Sequence, residues 1–412
     1  MSNSHPLPSL PERLFGPEMI QDPYPFYAQL RESDPIHWDP GMHAWVITRY
    51  EDVAKVLNDK RFSSRRIAKG RERFPQAEFD ALFDTLSGKM SEYDEPEHKR
   101  LRALVHDAFA RTAVEEWGDR IGTIANTLLD DAEASAAGQM EFISSYAIPL
   151  PLSLILEVVG IPDAEQQQVK AWCDDFSNVA LNFYANISES DLRQAQKSVL
   201  AFKEFLREHV AALRESPRKD LLSSLIKAQE GESRLTLEEL LANTLLILSA
   251  GNETTTCLLG NGLHALLEQP EQFERLRSDP TLIPNAVEEF LRFDAPVQFL
   301  GRLAIEDVTL KGANIKSGDL VLAVIASANR DPDKFENPDE IDVGRTHLQH
   351  MAFGHGHHFC AGSQLSRQEA RIAFETLFSR YSSIKLETTH PLEREKNANI
   401  RCFKTLPLRV AG

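Results

Sequence analysis

The 412-residue chain has only four cysteines, Cys173, Cys257, Cys360 and Cys402, and no two of them form a CxxC pair. They are too few and too scattered for a disulfide-built secreted fold, which leaves reduced thiols in a cytoplasmic protein as the expectation. No run of about 18 apolar residues occurs, so no membrane span is expected. The start, MSNSHPLPSLPERLFG, lacks the apolar stretch of a signal peptide. Positive charge is scarce: 45 Lys and Arg stand against 62 Asp and Glu, a formal net charge of −17. Phosphate binding needs a basic face, so nucleic acid is not an expected partner. Internal repeats and low-complexity linkers are missing as well. What the chain does have is a hydrophobic fraction of 42%, sufficient for a large core.

Two kinds of pattern share the chain. Helical periodicity dominates residues 90–292 and returns over 360–382, whereas strand signals cluster at 36–49, at 296–328 and in the C-terminal segment. The expected architecture is therefore mainly α with a small β region drawn from both ends of the chain, in one domain spanning 1–412. IHWDPGMHAWVITRY reads as a hairpin turning at Asp39-Pro40-Gly41, and YEDVAKVLND as a helix. Residues 63–92 are polar and read as irregular; PLPL at 149–152 reads as a break. One helix stands out. Thr236 and Glu239 make a capping box, and no proline follows until Pro270. That is a helix of about 30 residues, roughly 45–50 Å, long enough to cross a domain. At its centre lies AGNETT, residues 250–255. Interior glycine costs about 1 kcal/mol, and three consecutive threonines are poor helix formers, so this local weakness points to function.

FGHGHHFC, residues 353–360, carries the most specific chemistry. Structural zinc wants four ligands in paired spacings, and no second pair exists to complete a site with these histidines. A single thiolate, by contrast, can hold haem iron and favour O–O cleavage. Gly354 and Gly356 allow a tight loop to turn its N–H groups toward the Cys360 sulfur. The following helix adds a positive dipole end, Gly362 permits close approach to a flat cofactor, and Phe353 can shield the sulfur.

FGHGHHFCAGSQLSR resembles the haem-binding signature of the cytochrome P450 family, Phe-Gly-x-Gly-x-His-x-Cys-x-Gly followed by Leu-x-Arg. Phe353, Gly354, Gly356, His358, Cys360, Gly362, Leu365 and Arg367 meet each fixed position. Further motifs follow from the resemblance. Glu289 and Arg292 match the family's Glu-x-x-Arg helix; Glu340 stands where the family often has an arginine, leaving Arg345 or another base to complete that network. The long helix would lie over haem b, with Ala250 and Gly251 opening a groove for O2 and Glu253 and Thr254 relaying protons. His98, Arg102, Arg302 and His358 would bind the haem propionates.

The resemblance further implies a soluble bacterial haem-thiolate monooxygenase, probably the correct class for hydroxylation or epoxidation of an apolar small molecule such as a terpenoid, fatty acid, steroid or macrolide. Its electrons would come from NAD(P)H through a ferredoxin and a reductase, the donor docking on a basic patch of Lys99, Arg100 and Arg111. Leu246, Ile247, Val297, Phe299 and Phe403 are candidate substrate contacts, with Phe176, Phe183 and Tyr184 as a roof. The basic RRIAKGRER segment, residues 65–73, could meet a carboxylate or a carrier-bound acyl group. Alternatives are a peroxide-driven peroxygenase and a non-catalytic accessory protein; retention of Cys360 with the Glu253–Thr254 pair weighs against both. The chain is expected to act as a monomer.

Overall fold

The computed structural model describes residues 17–106, 108–135, 138–181, 187–230, 235–387 and 391–412. Its helices pack around one large apolar core, and two smaller cores line the faces of the main sheet. That sheet has five strands. β1 (Ile36–Asp39) and β2 (Ala44–Ile47) form the expected hairpin, with Trp38 opposite Trp45. β3 is Phe62–Ser63, and β5 (Leu300–Ala304) and β8 (Leu320–Ala323) come from late in the chain. The order is β1-β2-β8-β5-β3, with β2 and β8 parallel. β6 (Val308–Leu310) and β7 (Ala313–Ile315) make a separate hairpin.

The C-terminal segment does not join that sheet. β10 (Pro407–Ala411) pairs instead with β9 (Ser383–Leu386) and with β4 (Gln139–Glu141), a strand inside the helical region. Two local readings are also corrected. Residues 63–92 contain the helices Ile67–Arg73 and Asp80–Ser87. Phe79, Leu82, Phe83 and Leu86 are all buried and fall at i, i+3, i+4 and i+7, a helical stripe that the polar residues between them obscured. PLPL opens the helix Pro149–Val159 rather than breaking one, because proline in a first turn gives up an N–H that has no partner there.

The long helix runs from Leu237 to Leu267. Its capping box is present: the Glu239 N–H donates to Thr236 Oγ1 at 3.1 Å, and the Thr236 N–H donates to the Glu239 carboxylate at 2.9 Å. Most of its side chains are buried, so it is an axis of the core rather than a surface helix.

The helix Ile283–Phe293 carries Glu289 and Arg292, both fully buried. Arg292 donates to both Glu289 oxygens, at 2.7 and 2.8 Å. Arg345 supplies the third member, its Nε 3.1 Å from Glu289 Oε1. Glu340 contributes only its carbonyl, which accepts from both arginines. A buried pair of this kind adds little net stability, but losing one partner strands a charge. Here it pins the segment that leads into the cysteine loop.

Candidate active site

The cysteine loop is closed by its own backbone: the Cys360 N–H donates to the Phe353 carbonyl at 2.9 Å. Gly354 and Gly356 both have left-handed φ, 75° and 71°. Gly356 is doubly constrained, since a Cβ there would lie 2.2 Å from Asn58 Oδ1. The donors that reach the sulfur come from the other side of it. The N–H groups of Gly362 and Ser363, at the start of the helix Ser363–Arg380, hydrogen-bond the thiol. Burial pushes the Cys360 thiol up; those two donors, Arg102 and Arg367 oppose it by favouring thiolate. Arg367 lies 4.5 Å from the Phe353 ring centre and is held by Glu288 through bonds of 2.6 and 2.9 Å. His350 also contacts Glu288, at 3.1 Å. Burial works to raise the Glu288 carboxyl, yet His350 and Arg367 pull it down to about 2.

Cys360 is exposed to an internal cavity of about 330 Å³. The far wall is the long helix, which contributes Leu246, Ile247, Ala250, Gly251, Thr254 and Thr255. His98, Arg102, Arg302 and His358 all line the same cavity, as do Val297, Phe353, Gly354 and Gly362. The rings of His98 and His358 lie 3.9 Å apart, and His358 Nε2 is 3.0 Å from Ser64 Oγ. Burial, then Arg302, His98, Arg66 and Arg102, drive the His358 pKa down to about 3. A dianion placed among these groups would reverse that repulsion. A Cβ on Gly362 would meet no atom within 4 Å, so this glycine faces open cavity. The residues therefore fit a flat, dianionic metal cofactor bound through one thiolate.

The two halves of the acid–alcohol pair face different spaces. Thr254 lines the thiol cavity, its hydroxyl donating to the Ala250 carbonyl at 2.8 Å. Glu253 lines a second cavity of about 630 Å³ on the other side of the long helix, with Asn252, Lys170, Asp174 and Glu395. Burial first, then Asp174 and Glu395, raises the Glu253 carboxyl to about 7.

Several expected contacts lie elsewhere. Phe403 lines the second cavity, under the Arg394 guanidinium at 3.8 Å. Phe176 is buried beneath Lys89, whose Nζ is 5.8 Å from its ring centre, and Phe299 belongs to the small core around Tyr27. In Phe299's place the next residue, Leu300, reaches the thiol cavity, because successive strand side chains alternate faces. Phe183 and Tyr184 lie outside the described residues. The basic patch is also thinner than the sequence suggests. Arg100 is ion-paired with Glu239, and Arg111 with Glu115.

One residue that sequence reading missed is Glu369, fully buried in the helix after the cysteine. Burial holds its carboxyl well above the usual range, and Thr255 Oγ1 lies 3.5 Å away. Its signal was available: it follows Leu365 by four residues and precedes Ile372 by three, an acidic residue on an apolar face.

Comparison with known proteins agrees with this geometry. The family model for cytochrome P450 matches residues 27–402. The chain belongs to the cytochrome P450 family. It is 35% identical to the polyketide biosynthesis cytochrome P450 PksS of Bacillus subtilis, over 96% of this chain and 98% of that protein. It is 37% identical to the cytochrome P450 monooxygenase PikC of Streptomyces venezuelae, over 96% and 92%. A crystal structure of P450BioI in complex with a hexadec-9Z-enoic acid ligated acyl carrier protein superposes with a TM-score of 0.88, at 32% identity and covering 96% and 99% of the two chains. The protein is accordingly a cytochrome P450 monooxygenase, an oxidoreductase that uses haem and O2. No helix among the described residues is long and apolar enough to cross a membrane.

Proposed function

We propose that this P450 acts as a monomeric, single-domain cytoplasmic enzyme that hydroxylates or epoxidises an apolar small molecule, with electrons passed from NAD(P)H through a ferredoxin and its reductase. The observation that carries the reading is the convergence of Cys360 and Thr254 on one cavity whose remaining polar groups are cationic or neutral. Haem bound there supplies O2 activation and oxygen transfer, the thiolate favouring O–O cleavage.

The chain's own residues hold the reactants and move protons. Cys360 is the iron ligand, kept anionic by the Gly362 and Ser363 N–H groups and by Arg102 and Arg367. His98, Arg102, Arg302 and His358 take the propionates. Leu246, Ile247, Val297 and Leu300 exclude water and hold an apolar substrate. Thr254 offers its hydroxyl once its bond to the Ala250 carbonyl is released. Glu253 recharges that hydroxyl from the second cavity; a carboxyl titrating near neutrality both takes and gives protons there. The exposed Phe359, adjacent to Cys360, with Lys99 and Arg111 nearby in sequence, supports a docking surface for the electron donor.

The test is spectroscopic. Reduced, carbon-monoxide-treated holoenzyme should show the red-shifted Soret band of thiolate ligation, and Cys360→Ala should abolish it. Absence of the band in the wild type would sink the reading. Product formation with peroxide alone, undiminished by Thr254→Ala, would replace it with a peroxygenase.

A further inference from the structure

A second charged group meets the thiol cavity away from the propionate set. Arg66, at the start of the helix Ile67–Arg73, lines the cavity beside Met90 and Ser91. Its guanidinium is 2.8 Å from a Glu92 oxygen, and the Glu92 side chain is 1% exposed. The same Glu92 oxygen is 3.7 Å from Lys89 Nζ, whose side chain is 5% exposed. Neither Glu92 oxygen has a well-aligned hydrogen-bond donor. Lys89 is wedged between the long helix and the helix Gln166–Leu181: Gly88 beside it packs on Ala242, and its ammonium faces the Phe176 ring.

Two cations thus share one carboxylate in a buried place. One Glu92 cannot neutralise both, so a net positive charge remains where burying an uncompensated charge is expensive. Arg102, Arg302 and the histidine pair already answer the two propionates, and the other carboxyl on the cavity wall, Glu369, is held neutral by burial. The excess cation at Arg66 is left for something that enters the cavity. We propose that the substrate is an amphipathic anion, a carboxylate on an apolar body, and that Arg66 receives the carboxylate while Lys89, by drawing on Glu92, keeps Arg66 from being neutralised. This deepens the monooxygenase reading and rests on it. It makes Arg66 a substrate contact and Lys89 a positioning residue, and it orients the apolar end toward Cys360 and Thr254. Arg suits this task because its planar fork accepts a carboxylate while still holding Glu92.

The experiment uses haem-loaded enzyme and three probes of equal chain length: myristic acid, its methyl ester and tetradecylamine. Affinity is read by calorimetry and by the Soret shift. The acid should bind roughly ten- to a hundredfold tighter than the ester, the range for a hydrogen bond to a charged group, and the amine should bind weakest. Arg66→Met and Lys89→Met should each remove most of the acid-over-ester preference while ester affinity and haem content stay unchanged. Glu92→Gln removes the internal competitor and should strengthen acid binding. Equal binding of acid and ester by the wild type, or tighter binding of the amine, overturns the proposal without any variant having to fold. So does a preference that survives Arg66→Met, or a loss of haem in place of a loss of preference. The two readings fail separately: a missing thiolate signature sinks the monooxygenase, whereas a normal signature with indifferent acid binding sinks only the anionic substrate.

Discussion

The long helix has two cavities against it, and they differ in almost everything but their shared wall residue, Ile155. On one side Thr254 looks into a space ringed by Arg66, Arg102 and Arg302 with a single thiol. On the other, Glu253 looks into a larger space where Asp174, Glu395, Lys170, Lys396 and Lys404 mix both signs. Consecutive residues on a helix point about 100° apart, so one dipeptide can serve both. The first space suits an anionic cofactor and dry chemistry. The second suits solvent, since mixed charges there are cheap only if water screens them. The difference divides the labour between Thr254, which meets the reactants, and Glu253, which meets the proton supply.

The strongest way to break this division is to remove the sulfur. Cys360→Ala should eliminate the thiolate signature and turnover altogether, while leaving Glu253 near its position, so that a titration of the second cavity would be unaffected. If Cys360→Ala retained turnover, the cationic cavity would not be the reaction chamber.

Next comes Thr254→Ala. A positioned proton donor contributes typically 10²–10⁴-fold, so coupled product formation should fall by about a hundredfold or more. Consumption of NAD(P)H should persist in a reconstituted system, with peroxide appearing in place of product. Measured product per NAD(P)H decides the point. Unchanged coupling would mean that protons reach the cavity by another route, and the neutral Glu369 beside Thr255 would be the first residue to inspect.

Glu253→Gln should have a smaller effect on rate and a characteristic one on pH. The carboxyl is raised from 4.5 to about 7. Its proton-carrying form therefore persists up to about pH 7, and the wild-type rate should fall as pH rises through that value; Glu253→Gln should be slower but flat across it. Stability has the same sign. A raised carboxyl favours the folded state fully below pH 4.5, and that advantage is lost as pH climbs through 7. Above pH 7 the glutamine variant should gain about 2–3 kcal/mol on the wild type, from the linkage between pKa and stability. Denaturant unfolding at two pH values checks this, and a variant with the wild type's pH dependence would remove Glu253 from the account.

Which parts were legible in sequence follows from what each residue needs from its neighbours. The cysteine loop could be read because its requirements are local: left-handed backbone at Gly354 and Gly356, a helix start after Cys360. The long helix was legible through its capping box and its freedom from proline. His98, Arg102, Arg302 and His358 were placed by motif, and they share a cavity. The aromatic lining was not legible. Phe176, Phe299 and Phe403 satisfy any core as well as they satisfy a pocket, and only tertiary packing assigns their faces. The C-terminal strand escaped for a similar reason, since its partner β4 is three residues long and far away in sequence. The Arg66–Glu92–Lys89 group is assembled from two chain segments, and Lys89 gave no hint of burial. AGNETT lies between these extremes, its weakness visible but its cause incomplete until the packing was known.

Gly251 is the residue that separates the two accounts of that weakness. It lines the thiol cavity, which fits a groove for O2, but a Cβ there would also come within 2.8 Å of Ile155 Cγ1. Gly251→Ala gains helix propensity of about 1 kcal/mol and loses about 1–3 kcal/mol to overpacking, so its net destabilisation should be small. Ile155→Ala alone should cost about 2–5 kcal/mol, as large-to-small core changes do. If close packing is the reason for the glycine, the double variant should be more stable than the sum predicts, by about 1 kcal/mol, because the new methyl enters the space that Ile155 leaves. Turnover in the double variant then isolates the other role. Recovered stability with poor coupling would assign the glycine to the reaction as well as to the packing, while recovery of both would reduce it to the contact between two helices.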